Sequence, residues 1–319
     1  MKVLITGATG LVGKAIVREL NDKGVHVNYL TTSKEKLVTK DTYKGFYWNP
    51  SKKEIDLECF DNVTAIINLA GASISNRWTT SYKAKVLDSR IDSLRTLHDG
   101  IRKSGTKNIT SFVSASAIGI YPNSFSSFYT EEEQSIDDSF LGDVVKAWEE
   151  EIDTFTNFDF SIAKIRIGLV LSKNGGALPQ MVRPIKNYVG AAFGTGEQWQ
   201  SWIHLQDLAR MFVFVLTNKL QGVFNGVAPN PVTNTKLTKE LAKVLERPIL
   251  LPNVPEFAMR VILGEMSYLL YTSQRVSSKR IEKKGFKFNL TSICGALEAI
   301  YSKESSKKES IHSYSKEYI

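Results

Sequence analysis

The chain of 319 residues is poor in cysteine: it holds two, Cys59 and Cys294, far apart and at no metal-ligand or redox spacing. That argues against a disulfide scaffold and a thiolate metal centre, and leads us to expect a reducing, cytoplasmic setting with both thiols buried or inert. Long hydrophobic runs are missing as well. The longest candidates are stretches such as MFVFVL at 211–216, far short of the roughly 18–20 apolar residues of a spanning helix, so a soluble protein with no membrane partner is expected. The opening MKVLITGATGLVGKAIV sets a lysine before an apolar stretch, but glycines at fixed spacing and an amphipathic continuation argue against a signal peptide. No internal repeat of fixed period is visible.

A broad basic surface is also absent. Net charge is +8, yet Arg275 to Ile319 holds ten Lys or Arg against five Asp or Glu, so the excess is local. No aromatic platform or reading helix accompanies it, and no nucleic-acid partner is expected. Residues 301–319, ending SKESSKKESIHSYSKEYI, are polar and low in complexity and read as a flexible, solvated tail.

What is present is alternation. KVLIT is a β-rich run, and GATGLVGKAIVRELNDKG turns to helical spacing with Leu11, Ala15, Val17 and Leu20 on one face, ending at Gly24. VHVNYLTTS and TAIINLAG read as further strands, 82–103 as a helix and ITSFVSAS as the next strand. A helix over about 140–156 carries Leu141, Val144, Val145, Trp148, Ile152 and Phe155 as its stripe, with Glu149, Glu150, Glu151 and Asp153 off it. FSIAKIRIGLVL closes this half as one strand. The fold class expected is α/β: a Rossmann-type doubly wound parallel sheet over 1–171, into which strands of the second half can return. A smaller mixed lobe for substrate follows over 172–300, with helices such as 237–245.

Gly7, Gly10 and Gly13 make G-x-x-G-x-x-G between a strand and a helix. Such a turn needs positive φ and close backbone approach to a pyrophosphate, at a helix end that favours anions. The second strand runs into Thr31, Thr32, Ser33 and Lys34 with no acid to take a ribose 2′-hydroxyl, so NADP(H) is preferred and NAD(H) stays open.

TGATGLVG, NLAG at 68–71 and SASAIGIYP at 114–122 resemble the atypical or extended short-chain dehydrogenase/reductase superfamily. GLVLSKNGGALPQM, GTGEQWQSWIHLQDLAR, NGVAPNPVTN, LGEMSYLL and SQRVSSKRIEKKGFKF narrow the resemblance to its "epimerase family protein" branch with a C-terminal extension, over roughly residues 1–300. The resemblance implies cofactor contacts at Gly7, Thr9, Gly10, Leu11, Val12 and Gly13, at Thr32, Ser33 and Lys34, and at Leu69, Ala70 and Gly71. It adds Arg90 in DSRI and Val170 in RIGLV beside the nicotinamide. Thr32 stands where relatives often carry arginine.

The superfamily's chemistry uses a tyrosine whose pKa is lowered by a lysine four residues on, with a serine holding the substrate oxygen. Ser116 matches the serine, while Ser114 reads as structural. None of the twelve tyrosines has lysine at +4, and alignment through Glu149 places Leu141 and Val145 at the pair's positions. Candidate substitutes are Tyr121, just past the strand; Lys146, one position off and facing solvent; and His204 in SWIHLQDLA, with a suitable pKa range but a structural role favoured and Asp207 near it. Trp199 and Trp202 either stack on a planar substrate or fill the interface between lobes. No metal ligand set is seen. Two functions stay open: an NADP-dependent oxidoreductase or epimerase-like enzyme on a small polar substrate, a nucleotide-linked one among the candidates, or an NADP(H)-binding sensor that has lost its catalytic pair.

Overall fold

The computed structural model describes residues 1–301. Seven parallel strands form the central sheet: β1 (Lys2–Thr6), β2 (His26–Thr31), β3 (Tyr43–Asn49), β4 (Ala65–Asn68), β5 (Ser111–Ala117), β6 (Ser161–Ile167) and β7 (Gly222–Gly226). Their order is β7-β6-β5-β4-β1-β2-β3, and the short strand Thr39–Lys40 extends the edge beyond β3 in antiparallel sense. The winding reverses between β1 and β4, the switch point where a doubly wound sheet opens a crevice at its carboxyl edge. Val3, Leu4 and Ile5 of β1 and Ile66 and Ile67 of β4 are all fully buried, because helices cover both faces of the sheet.

The covering helices are α1 (Leu11–Asn21), α2 (Thr80–Ser104), α3 (Phe140–Asp153) and α4 (Leu205–Thr217). α1 packs on α4, and α2 on α3. Thr79 starts α2 by accepting the Tyr82 N–H at 3.2 Å, and Gly105 ends it at φ +64°. The MFVFVL run lies in α4, buried in the main core except for half-buried Phe214.

Several expectations are corrected. In α1 the fully buried side chains are Ile16 and Leu20; Ala15 and Val17 are half-buried and pack against the same core, so the face read in the sequence holds but omits Ile16. The aromatic strand β3 was not anticipated. FSIAKIRIGLVL is two pieces. Gly168 separates β6 from Leu169–Leu171, which pairs with Trp202–His204 instead of continuing the sheet. Cys59 is buried and Cys294 half-buried, and both are free thiols, which does not conflict with the expectation of buried or inert cysteines.

α4 and β7, from the second half of the sequence, join the main core. A second apolar cluster, including Leu178, Trp202, Leu237, Leu241 and Leu297, builds the smaller lobe. Tyr301, grouped with the tail by composition, is helical and 7% exposed within that cluster. The rest of the tail assignment, 302–319, lies outside the described residues. Among those described, no helix is long and apolar enough to cross a membrane, and no group of His, Cys, Asp or Glu could hold a metal ion.

Candidate functional site

The turn between β1 and α1 is built from missing side chains. Gly7 sits at φ +71°, and a Cβ there would lie 2.9 Å from the Leu69 carbonyl oxygen. A Cβ on Gly13 would press on the Gly7 carbonyl and stand 2.7 Å from Ala8 Cα. Gly10 precedes α1 and donates its N–H to the Gly7 carbonyl at 3.0 Å. α1 starts with no side-chain cap and no acidic residue in its first turn, so its terminal N–H groups and positive dipole end have no internal anion. The cradle suits a pyrophosphate.

Thr6 joins this turn to the end of β4. Its hydroxyl donates to Asn68 Oδ1 at 2.7 Å and accepts the N–H groups of Leu69 and Ala70 at 3.0 and 3.1 Å. Asn68 in turn donates to Ser114 Oγ at 3.0 Å, which gives Ser114 the structural role expected of it. Gly7 is thereby brought against Leu69. Thr6 and Asn68 escaped the sequence reading, although both stand within the quoted motifs.

Arg90 of α2 lies behind Gly71, whose hypothetical Cβ would be 3.1 Å from its guanidinium carbon. Nη1 donates to the carbonyls of Val86 at 2.7 Å and Ala72 at 3.2 Å, and the guanidinium lies 4.9 Å from the centre of the Trp148 ring. Among the described residues, Arg90 has no carboxylate partner and its Nε is buried without a hydrogen bond. Burial lowers its pKa to about 10. A desolvated cation beside a phosphate-sized cradle is suited to an anionic ligand.

The other end of the candidate site follows β2. Ser33 N–H bonds to Thr31 Oγ1 at 3.2 Å, Thr32 and Lys34 are exposed, and Lys34 Nζ lies 5.3 Å from the centre of the Tyr47 ring. Opposite, the loop after Leu169–Leu171 closes on α1. Gly175 and Gly176 lie against the Leu11 side chain, and Gly176 lies near the Val170 carbonyl. Leu11 and Val170, distant in sequence, thus border one region, with Thr9 and Val12 half-buried beside it.

At the carboxyl end of β5 the structure revises the expected chemistry. Leu141 packs against Gly119, and Val145 is buried, so apolar side chains do occupy the α3 positions of the absent pair. Lys146 is exposed, as read. Glu149, read as off the helical stripe, is buried. It takes Arg166 Nε and Nη2 at 2.8 Å each and the Ser116 hydroxyl at 2.5 Å, with Lys164 3.8 Å away. Burial alone would raise its pKa, but Arg166, Ser116 and Lys164 outweigh it and hold the carboxyl below the ordinary range.

Ser116 is therefore no free crevice hydroxyl: it is 2% exposed and its proton goes to Glu149. Tyr121 is sealed at 0% exposure. It donates to Asn225 at 2.7 Å and accepts from Arg166 at 3.0 Å, and burial raises its pKa. His204 caps α4 by accepting the Gln206 N–H at Nδ1, 3.2 Å away, and burial, which outweighs Asp207, lowers its pKa. Asp207 stands three residues after His204 in sequence. It binds Arg210 at 2.7 Å and also accepts the N–H groups of Asn289 and Leu290 at 3.0 and 2.9 Å. Trp202 is buried and fills the lobe interior; Trp199 is half-buried under the Arg275 guanidinium.

A family model described as the NAD dependent epimerase/dehydratase family matches residues 3–226, and one described as a domain of unknown function (DUF1731) matches 254–300. An epimerase family protein of Staphylococcus haemolyticus is 38% identical over 296 residues, covering 92% of this chain and 97% of its own. One from Staphylococcus aureus strain MRSA252 is 36% identical over 301 residues, 94% and 99% of the two chains. The crystal structure of the human epimerase family protein SDR39U1, isoform 2, with NADPH matches with a TM-score of 0.82 at 26% identity, covering 95% of this chain and 99% of that one. The UDP-glucuronic acid 4-epimerase of Bacillus cereus, in complex with UDP-glucuronic acid and NAD, matches with a TM-score of 0.74 at 15% identity, over 95% and 98% of the two chains, a likeness of fold alone.

Proposed function

The chain belongs to the NAD-dependent epimerase/dehydratase family, and from that membership we propose that it binds NADP(H) and acts as an epimerase-like oxidoreductase on a small polar, nucleotide-linked substrate. The observation that carries the reading is the pairing of the side-chain-free cradle of Gly7, Gly10 and Gly13 with the buried, carboxylate-free guanidinium of Arg90. Around it, Leu69, Ala70, Gly71, Leu11 and Val170 would border the cofactor, and Thr32, Ser33 and Lys34 would take the ribose phosphate. The human relative was solved with NADPH and the Bacillus cereus epimerase with NAD, so what they support is a nicotinamide cofactor; the choice of NADP(H) rests on the acid-free end of β2. Bound nicotinamide would supply reversible hydride exchange. Ser116 is the side chain the resemblance assigns to orienting the reacting oxygen, a role that requires its hydroxyl to leave Glu149 and reach the crevice, and the apolar Leu141 and Val145 leave proton transfer to the substrate or to water.

A second reading has its own support. The usual tyrosine and lysine are absent, and Tyr121 and His204 are both engaged structurally, as a protein that senses NADP(H) without turnover would allow. Titration with NADPH and NADH, followed by nicotinamide fluorescence, tests both readings: micromolar binding with NADPH preferred is expected, and binding of neither would overturn them. Turnover by the parental protein then separates the two, since a sensor shows none, and Ser116→Ala tests the serine's role. Turnover that falls while cofactor affinity holds supports the enzyme; turnover at the parental rate removes Ser116 from the site.

A further inference from the structure

The segment carrying Ser33 and Lys34 has little of its own to hold it in place. Its 3-10 turn, Lys34–Lys36, contains no buried residue, and Leu37 and Val38 behind it are 38% and 42% exposed. It is fastened from below by one phenol. Tyr29 of β2 is 1% exposed; its hydroxyl donates to the Lys36 carbonyl at 2.6 Å and accepts the Val38 N–H at 2.8 Å. Val38 also accepts the Gly45 N–H at 2.9 Å, which ties the segment to β3.

The position of that phenol is set by β3. Tyr29 lies in register with Gly45, and a Cβ on Gly45 would come within 2.5 Å of Tyr29 Cζ and Oη. The glycine leaves the ring its path across the strand. Tyr43, two residues before on the same face, stacks on Tyr29 with ring centres 4.2 Å apart, and its own pKa is pushed up to about 12 by burial and by Tyr29. Tyr47, two residues after, lies under the Lys34 ammonium. Period-two alternation thus puts Tyr43, Gly45 and Tyr47 in one row, and the candidate ribose-phosphate segment lies on that row.

We propose that Tyr29 is a positioning residue for selection of the 2′-phosphate: its hydroxyl, given room by Gly45, sets the turn that presents Ser33 and the Lys34 ammonium to that phosphate. The inference rests on the NADP(H) reading above and extends it to residues that do not touch the ligand. Discrimination between the two cofactors then depends on a contact beneath the binding surface, while the pyrophosphate cradle at Gly7 to Gly13 acts on both alike.

Tyr29→Phe removes both hydrogen bonds and keeps the ring. It is expected to weaken NADPH and 2′-AMP by about tenfold, the effect of two neutral hydrogen bonds, with NADH affinity and Tm nearly unchanged. Gly45→Ala, on another strand, is expected to lower the NADPH-to-NADH affinity ratio in the same way by displacing the ring, with a lower Tm from the added methyl group. If the parental protein prefers NADPH and both variants keep its NADPH-to-NADH affinity ratio, the role of Tyr29 is refuted. Equal weakening of both cofactors would refute it too, since that is what a merely structural tyrosine would produce. A parental protein with no preference would instead overturn the underlying cofactor reading, a result legible before any variant is made.

Discussion

Arg166 meets Glu149 through two hydrogen bonds in a space where both side chains are 8% exposed. Removing one charge of such a pair leaves the other desolvated and alone, so Glu149→Gln is expected to lower unfolding stability by about 3–5 kcal/mol in a urea titration. The same carboxyl gives a pH dependence of known sign. Its folded pKa is depressed, so its contribution is fully present above the ordinary carboxylate range and is lost as pH falls through the lowered value. The parental protein should therefore lose stability on acidification below about 4 by an increment that Glu149→Gln lacks. At Arg90, substitution by alanine removes a cation that already lacks a carboxylate partner among the described residues. Cofactor affinity is expected to fall, and unchanged affinity in the same titration would take Arg90 out of the site.

At the scale of elements, the β1–α1 turn has the least tolerance for added atoms. Gly13→Ala would force a methyl group against the Gly7 carbonyl, so helix and strand would have to part. Such overpacking costs about 1–3 kcal/mol and is expected to abolish NADPH binding as well as lower Tm. This turn was legible in the sequence because its requirement, no side chain at three spaced positions, is written as glycine. β3 was not legible: YKGFYWN interrupts its aromatics with lysine and glycine, and what makes it a strand is Tyr29 lying across Gly45 from β2, a partner far off in sequence. Glu149 was hidden for a similar reason. On α3 it reads as one of three successive glutamates, and its burial depends on Arg166 reaching it from β6. The absence of the tyrosine and lysine pair was plain from spacing alone, whereas the engagement of Tyr121 and His204 depends on contacts that spacing does not encode.

For the whole molecule, the two family-matched portions are stitched together. Gln274 donates to the Tyr121 carbonyl, Asn225 donates to the Ser277 carbonyl at 3.0 Å, and Asp207 holds the backbone at Asn289 and Leu290. Ile281 and Phe286 are buried in the main core beside the sheet. A protein ending at residue 226 would open that core and leave these polar groups unpaired, so it is expected to show no cooperative thermal transition by circular dichroism, in contrast to the full chain. This interleaving could not be read from the sequence, because its contacts join residues far apart along it. One neighbour of the crevice bears on how any of this is observed. Trp148 lies under the Arg90 guanidinium, so an anion drawn to that cation alters the electric field across an indole. The fold thus carries an optical gauge of its own: oxidised cofactor, itself dark, should shift tryptophan emission, and Trp148→Phe should silence the change.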